Sequence, residues 1–285
     1  MQVGKGQLVQ QWPVLVALFV VLIWGLNVVM MKVAVTGLSP VLFTALRFAL
    51  VAALLWPFWR VEAWIRWPVI RVALTMGVGH FLLLSLGVQY VDSALAGILL
   101  LLGGPLSMLL AYLFLQERLS RRQLTALLLA MLGVIGPTLL LATADIQIGA
   151  LLILLCELMW AWGNLQVRRL AKVPVYTLNF WTAAVTAPLC GLWLSLSDFD
   201  WQTVDWNMAS LGAVAYVALA SSILAYGLWY QLINLHGVQR FASLTLVRPL
   251  ITALAGYLIL QESLHPWQWV GGGLTLLAIY RFYRG

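Results

Sequence analysis

The chain has 285 residues, of which 63% are hydrophobic and only 9% are charged, and its mean hydropathy is +0.97. Soluble globular proteins are about 25% charged because their surfaces face water. This composition therefore excludes an ordinary soluble domain and predicts a membrane protein. The formal net charge of +7 comes from 16 Lys and Arg that are scattered along the chain. Their scatter argues against a nucleic-acid partner and is better explained by membrane topology.

The apolar runs predict ten transmembrane helices, since a helix that spans a bilayer needs about 20 apolar residues. The first run, Trp12 to Val35, is longer than the core of a cleavable signal and has no small-residue cleavage site, so we expect it to be retained. Turn-forming residues separate the runs. The predicted spans are 13–35, 40–59, 69–90, 94–115, 123–142, 147–168, 175–196, 209–235, 238–260 and 264–282.

The positions of Lys and Arg predict the orientation of these spans. Thirteen lie in segments on the same side as the N-terminus, and only Lys32 lies on the opposite side. Segments rich in Lys and Arg remain in the cytoplasm. We therefore predict a multi-pass protein of the bacterial inner membrane with both termini in the cytoplasm.

Two segments of the chain match each other at an offset of 145 residues. Gln116-Glu117-Arg118-Leu119 corresponds to Gln261-Glu262-Ser263-Leu264, and each follows a helix that contains one proline, Pro105 or Pro249. A second match pairs Trp24-Gly25-Leu26-Asn27 with Trp160-Ala161-Trp162-Gly163-Asn164. Both matches indicate an internal duplication.

The duplication predicts a five-helix repeat at 1–142 and a second at 143–285, which together form one integral membrane domain. Because five is odd, the second copy enters the membrane from the opposite side. Inverted repeats are typical of secondary transporters, whose substrates bind near the midplane where the repeats meet. The predicted fold class is thus an all-α membrane protein with two inverted repeats.

Three stretches resemble the EamA branch of the drug/metabolite transporter superfamily. They are Trp24–Val29 leading to Lys32, Leu46-Arg47-Phe48, and Gln116–Leu119. In helices 1 and 2 the chain is similar to bacterial exporters of O-acetylserine and cysteine, whereas helices 3 and 4 depart from them. The resemblance implies a ten-helix fold and export of amino acids or related metabolites.

Four ionisable side chains fall inside predicted spans: Arg47, His80, Glu157 and Arg248. Each costs about 2.5–3.5 kcal/mol at a helix centre on insertion scales, so each requires a functional or pairing explanation. Arg248 either binds a substrate carboxylate or pairs with Glu157, and Glu157 either faces the substrate or pairs with one of the arginines. Arg47 either snorkels outward or holds a helix contact. His80 is either a packing residue or a proton carrier.

These groups define the predicted site. The candidate substrate-binding residues are Trp24, Asn27, His80, Glu157, Trp160, Asn164, Tyr226, Tyr230 and Arg248. The candidate structural or gating residues are Arg47, Gly103, Gly104, Pro105 and Pro249. Paired Gly/Pro interruptions in corresponding helices indicate a transporter site.

No motif of a common enzyme class is recognisable, so we predict no catalytic residue and no cofactor. Cys156 and Cys190 lie in apolar runs without metal-ligand spacing, so no metal is predicted either. We predict a monomeric exporter of a carboxylate-bearing metabolite, such as an amino acid or a derivative, that works by alternating access in the lipid bilayer. Without an ATP site, transport would run on a substrate or ion gradient. The alternatives are a uniporter for a neutral metabolite or sugar conjugate, and a membrane-embedded lipid-modifying enzyme.

Overall fold

The computed structural model describes residues 3–116, 118, 120–170, 173–236, 243–263 and 265–284. These residues are predominantly helical, and no strand occurs among them. Helices that continue into one another without a break are given one label. The helices of the described residues are α1 (Val3–Gly37), α2 (Pro40–Leu55), α3 (63–87), α4 (93–115), α5 (Arg121–Leu141), α6 (Ala144–Arg168), α7 (Val175–Leu196), α8 (208–236), α9 (243–260) and α10 (Pro266–Arg284).

Four of these helices change their hydrogen-bonding pattern along their length. The middle segments of α3 and α8, Leu74–Leu82 and Val217–Ala225, are π-helical. In α4 a 3₁₀ turn at Leu100–Leu102 precedes the regular segment Gly103–Leu115. In α9 a 3₁₀ segment at Ser243–Val247 precedes Arg248–Leu260. Such interruptions are uncommon and often mark functional sites.

Polar residues in the connections fix where several helices begin. The Ser39 hydroxyl accepts a hydrogen bond from the N–H of Leu42, and Pro40 occupies the first turn. Asp92 caps α4 and Asn207 caps α8 in the same way, through the N–H groups of Leu95 and Ser210. Ser120 and Gln123 form a reciprocal capping box at the start of α5. These contacts satisfy backbone donors that the first helical turn leaves free.

Helices α4 and α9 end alike. Gln116 and Gln261 both adopt a left-handed conformation with φ of 56°, and they are the non-glycine residues with positive φ in the described chain. Their N–H groups donate to the carbonyls of Ala111 and Gly256, five residues earlier. The two Gln residues open the segments that match at an offset of 145.

The outer surface of the bundle is apolar. On α9, for example, Leu250, Leu254 and Leu258 follow one another at four-residue spacing and are 57–61% exposed. An apolar stripe of this kind faces lipid in a membrane protein. Six stretches of the described residues are long and apolar enough to cross a bilayer, which identifies a multi-pass membrane protein: Trp12–Gly37, Pro40–Phe58, Ile65–Gly87, Ser93–Leu115, Ala144–Arg168 and Met208–Trp229. The count of ten spans and the orientation stay predictions.

The helices pair in a regular scheme. Helix α1 packs against α8 and α9, and α6 packs against α3 and α4. Helix α2 packs against α7, and α5 packs against α10. Small residues allow close approach: Gly25 on α1 lies against Ile251 on α9, and the Thr275 hydroxyl of α10 donates to the carbonyl of Ala130 on α5 at 3.0 Å.

A polar network joins three chain segments at one end of the bundle. Lys32 on α1 pairs with Glu262 and also donates to the carbonyl of Val91 at 2.6 Å. Glu262 accepts the N–H of Ser93 at 2.8 Å. The side chain of Gln268 on α10 donates to Asp92. This end of the bundle is therefore closed by charged and polar contacts.

Candidate functional site

A cavity of about 400 Å³ lies among the interrupted helices. Its walls come from α1, α2, α3, α4, α6, α8, α9 and α10. All of these helices except α10 carry a residue that the sequence nominated for the site. The π-helical stretches contribute His80, Phe81 and Ser221, and the 3₁₀ segments contribute Leu100, Leu101, Thr245 and Leu246.

Most of the residues that the sequence nominated meet in this cavity. The predicted binding residues that line it are Trp24, Asn27, His80, Glu157, Trp160, Asn164, Tyr226 and Arg248. Tyr230 belongs to α8, but its side chain lies outside the described part of the structure. Of the predicted structural or gating residues, Arg47 and Gly104 line the cavity, and Gly103, Pro105 and Pro249 are buried beside it.

Glu157 is the acidic residue that the described chain brings to the cavity, and it is 3% exposed. Its Oε1 lies 3.8 Å from His80 Nδ1 and accepts a weak hydrogen bond from the Cys156 thiol at 3.7 Å. His80 Nδ1 lies 3.1 Å from the Cys156 carbonyl, which fixes the ring. The other carboxylate oxygen sits directly against Gly103. Because glycine has no side chain, position 103 leaves room for the carboxylate.

His80, Cys156 and Glu157 also place three possible metal-ligand atoms within 4.8 Å of one another. Zinc sites usually hold three or four such ligands, but they require the ring nitrogen to be unprotonated toward the metal. His80 Nδ1 faces the Cys156 carbonyl oxygen, which can only accept a hydrogen bond, so Nδ1 carries a proton and Nε2 is the ring nitrogen that could act as a ligand.

Aromatic rings form a continuous wall of the cavity. The ring of Trp24 meets Tyr226 and Trp229 edge to face, with both centroid distances 5.3 Å. The ring of Trp160 lies 6.4 Å from Tyr226 and 4.9 Å from His80. Edge-to-face pairs are favourable beyond the area they bury. This wall gives the cavity a rigid apolar side.

Arg248 opens the regular part of α9, directly before Pro249. The Thr252 hydroxyl of α9 donates to the Gly25 carbonyl of α1 at 2.8 Å and lies 3.0 Å from the Arg248 carbonyl. Arg248 lies within electrostatic range of Glu157 and Tyr226. The backbone that carries this guanidinium is therefore attached to α1 independently of the side chain.

Arg47 does not snorkel toward the membrane surface, because its side chain is 1% exposed. Nε and Nη2 donate to the Ser222 hydroxyl of α8 at 3.1 and 3.0 Å. The guanidinium lies over the rings of Phe48 and Phe81, at 5.0 and 4.4 Å from their centroids. Of the two sequence-based alternatives, the structure selects the helix contact, and it places Arg47 at the cavity as well.

The two asparagines at matching positions of the halves have different surroundings. Asn164 Nδ2 donates to the Ser107 hydroxyl at 3.0 Å, which bridges α6 to α4. Asn27 Nδ2 contacts Met31 Sδ at 3.4 Å, and its buried Oδ1 has no hydrogen-bond partner among the described atoms. Asn27 therefore offers a free acceptor at the cavity.

Sequence reasoning missed several lining residues. Phe81, Ser221, Trp229 and Thr245 were not nominated, although all four line the cavity. The pair Ser221-Ser222 inside an apolar run was an available signal, since hydroxyls in spans often bridge helices. Nothing in the sequence distinguished Phe81 or Trp229 from aromatic residues that face lipid.

Comparison with known proteins gives consistent results. The model of the EamA-like transporter family matches residues 11–138 and, a second time, residues 147–284. A probable amino-acid metabolite efflux pump of Salmonella typhimurium is 29% identical over 280 residues, which cover 93% of this chain and 92% of that protein. The corresponding pump of Escherichia coli is 26% identical over 285 residues, with the same coverage.

Two more distant similarities extend this picture. An uncharacterized transporter of Archaeoglobus fulgidus is 25% identical over 278 residues, which cover 95% of this chain and 98% of that protein. A solved crystal structure superposes with a TM-score of 0.66 at 18% identity, covering 95% of this chain and 96% of the other. At that identity the superposition establishes the shared fold alone.

Proposed function

The chain belongs to the EamA-like transporter family, and from that premise we propose that it exports small metabolites, namely amino acids or their derivatives, across the bacterial inner membrane. Transport is secondary active or facilitative and proceeds by alternating access. The proposal agrees with the printed names of the similar Salmonella and Escherichia proteins, which are probable amino-acid metabolite efflux pumps.

One observation carries the proposal. A cavity of about 400 Å³ lies where the irregular stretches of four helices meet, and it holds charged and amide side chains inside an apolar bundle. Irregular backbone at membrane depth occurs where it lines a cavity, and intramembrane charges mark substrate pathways. A cavity of this size accommodates an amino acid.

Two inverted repeats, 1–142 and 143–285, provide the moving parts. Three observations support this division. Helix α1 packs with α8 and α9 as α6 packs with α3 and α4. Gln116 and Gln261 end their helices in the same left-handed conformation, and the family model matches once in each half. With both termini in the cytoplasm, the thirteen Lys and Arg counted above lie on the cytoplasmic side.

The substrate is held by its two ends. The guanidinium of Arg248 binds the carboxylate, because a planar guanidinium matches a carboxylate with two hydrogen bonds. Glu157 lines the same cavity beside His80 and Cys156, and it is the partner of the substrate's amino group. The rings of Trp24, Trp160 and Tyr226 cover the aliphatic part of the ligand.

The network around Lys32 and Glu262 closes the outer end of the cavity in the proposed orientation. Release to the outside requires this network to separate, while the cytoplasmic ends of the repeats approach one another. The described structure thus corresponds to a state that is closed outward.

Counterflow in proteoliposomes tests the proposal. The purified protein is reconstituted in vesicles preloaded with one of a panel of unlabelled amino acids, N-acetylated amino acids and sugars, and uptake of the labelled compound is followed. We expect trans-stimulated uptake of at least one amino acid or derivative, above protein-free vesicles. Exchange of none of the amino-acid compounds, or of sugars alone, would contradict the proposal.

A further inference from the structure

Arg47 is a buried cation to which the described residues give no anionic partner. No carboxylate of the described chain lies within 4 Å of its nitrogens. Glu157 is the carboxylate at the same cavity, and it contacts His80 and Cys156. Eight of the nine Asp and Glu residues of the chain lie in the described ranges. The ninth is Glu117, which comes after the last residue of α4 in the sequence.

The contacts of Arg47 position its charge without neutralising it. A guanidinium has five N–H donors; Nε and Nη2 reach Ser222, whereas the buried Nη1 has no hydrogen-bond partner among the described atoms. The Ser222 hydroxyl donates in turn to the carbonyl of Val217 at 2.8 Å, so it is fully used. Phe48 and Phe81 stabilise the cation through their ring faces, but they carry no negative charge.

Among the described residues, the charge balance of the cavity is therefore positive. Arg47 and Arg248 contribute two cations, and Glu157 contributes one anion. His80, in either protonation state, adds no negative charge. An unbalanced charge inside an apolar bundle is unfavourable, and a ligand of net negative charge relieves it, whereas a zwitterion does not.

We propose that the cavity selects metabolites with net negative charge, and that Arg47 sets this selectivity by donating from Nη1 to a ligand carboxylate. This inference rests on the proposed function and narrows its substrate class. The preferred ligand has at least one carboxylate that no ammonium of its own balances, such as a dicarboxylic or an N-acylated amino acid. Arg47 lies on α2 and Arg248 on α9, so the two guanidiniums approach the ligand from both repeats.

Two pairs of compounds test this selectivity, and the members of the first pair are also matched in size. L-glutamate is compared with L-glutamine, and N-acetyl-L-leucine with L-leucine; in each pair the first has one more net negative charge. Binding to the purified protein is measured by calorimetry, and exchange by counterflow. We expect the anionic member of at least one pair to bind at least tenfold more tightly than its partner.

Substitutions test whether Arg47 is the residue that sets the preference for anionic ligands. Arg47→Gln is expected to reduce the anionic preference to about twofold or less while binding of the zwitterionic member is retained. The control is Arg71→Gln, which removes a charge from the exposed surface of α3 and should leave the preference unchanged. Thermal unfolding shows whether Arg47→Gln is folded; if it is not, Ser222→Ala, which keeps the charge but frees it from its anchor, is expected to weaken the preference in part.

The outcomes separate the two proposals. Equal or tighter binding of glutamine and leucine by the unaltered protein would overturn the charge selectivity, even if these compounds are exchanged and the transport function stands. A tenfold anionic preference in binding without any exchange would support the selectivity and contradict transport. A full preference that persists in folded Arg47→Gln would remove Arg47 from the explanation.

Discussion

Lys32 on α1 and Glu262, which follows α9, form an ion pair between positions 230 residues apart. The same carboxylate accepts the N–H of Ser93, and the same ammonium donates to the carbonyl of Val91. Two side chains therefore tie the α3–α4 connection and the end of α9 to α1. Their side chains are 18% and 17% exposed, so the pair is partly shielded from screening by salt.

Removing the charge of Glu262 is expected to loosen this end of the bundle. Glu262→Gln retains an oxygen that can accept the Ser93 N–H but cannot pair with the Lys32 ammonium. A partly exposed ion pair contributes about 1 kcal/mol, which corresponds to roughly a fivefold shift in population. We expect a cysteine at the cavity residue Ser221 to react several-fold faster with a membrane-impermeant thiol reagent in intact cells.

The control for this experiment is Asp198→Asn, which removes an exposed carboxylate on the side predicted to be outside. The native cysteines are buried, and their background labelling is measured in a protein without the added cysteine. An unchanged labelling rate in Glu262→Gln would show that the ion pair does not hold the outer end closed.

The orientation can be tested by labelling from outside. The distribution of Lys and Arg predicts that Arg121, at the start of α5, faces the cytoplasm and that Asp200, after α7, faces outward. A membrane-impermeant reagent applied to intact cells should modify a cysteine at position 200 and not one at position 121. The reverse result would invert the orientation and remove the assignment of an outer end.

Much of the site was predictable because polar groups in a membrane are rare. Glu157, His80 and Arg248 stood out as ionisable residues in apolar runs, and they line one cavity. The match between Trp24–Asn27 and Trp160–Asn164 nominated both asparagines and two of the rings.

The other features of the site could not be predicted, because they depend on contacts between residues that are far apart in the sequence. The partner of Arg47 is Ser222, 175 residues away, so its helix contact could not be distinguished from snorkelling. The π-helical stretches contain Gly77 and Gly79 in Leu74–Leu82 and the pair Ser221-Ser222 in Val217–Ala225, but such residues also occur in regular helices and do not by themselves specify a π-helical register. Consequently Phe81 and Ser221 were not nominated.

Adding a methyl group at Gly103 is expected to disturb the carboxylate of Glu157. A Cβ at this position would collide with Glu157 Oε2 and lie 3.1 Å from Cδ1 of Trp160. Gly103→Ala should therefore reduce transport at least tenfold while the protein still inserts. The matched control is Gly212→Ala in α8, where no atom lies within 4 Å of the new methyl group and helix propensity slightly favours alanine. Equal activity of the two variants would show that Glu157 is not confined by Gly103.

Neutralising Glu157 tests its part in coupling. A carboxylate near the middle of a span is unfavourable as a bare anion, so it needs a proton or a nearby cation. If protons drive export, Glu157→Gln should abolish accumulation driven by a pH gradient and leave exchange of substrate measurable in counterflow. Accumulation that responds to the gradient as before would leave Glu157 as a binding or structural group.

Replacing Arg248 distinguishes a substrate ligand from a structural residue. Hydrogen bonds to charged groups contribute about 1.5–3 kcal/mol, so Arg248→Ala should weaken binding of the exchanged substrate by about ten- to a hundredfold. Arg248→Lys should recover only part of this loss, because a point charge cannot reproduce a bidentate contact. The fold should persist, since the Thr252 hydroxyl attaches α9 to α1 through the Gly25 carbonyl. Thr252→Val is the reverse control: it removes that attachment and should lower the thermal unfolding temperature while the guanidinium remains. A structural role for Arg248 would give the opposite result, in which Arg248→Ala lowers the unfolding temperature and the surviving protein binds its substrate with unchanged affinity.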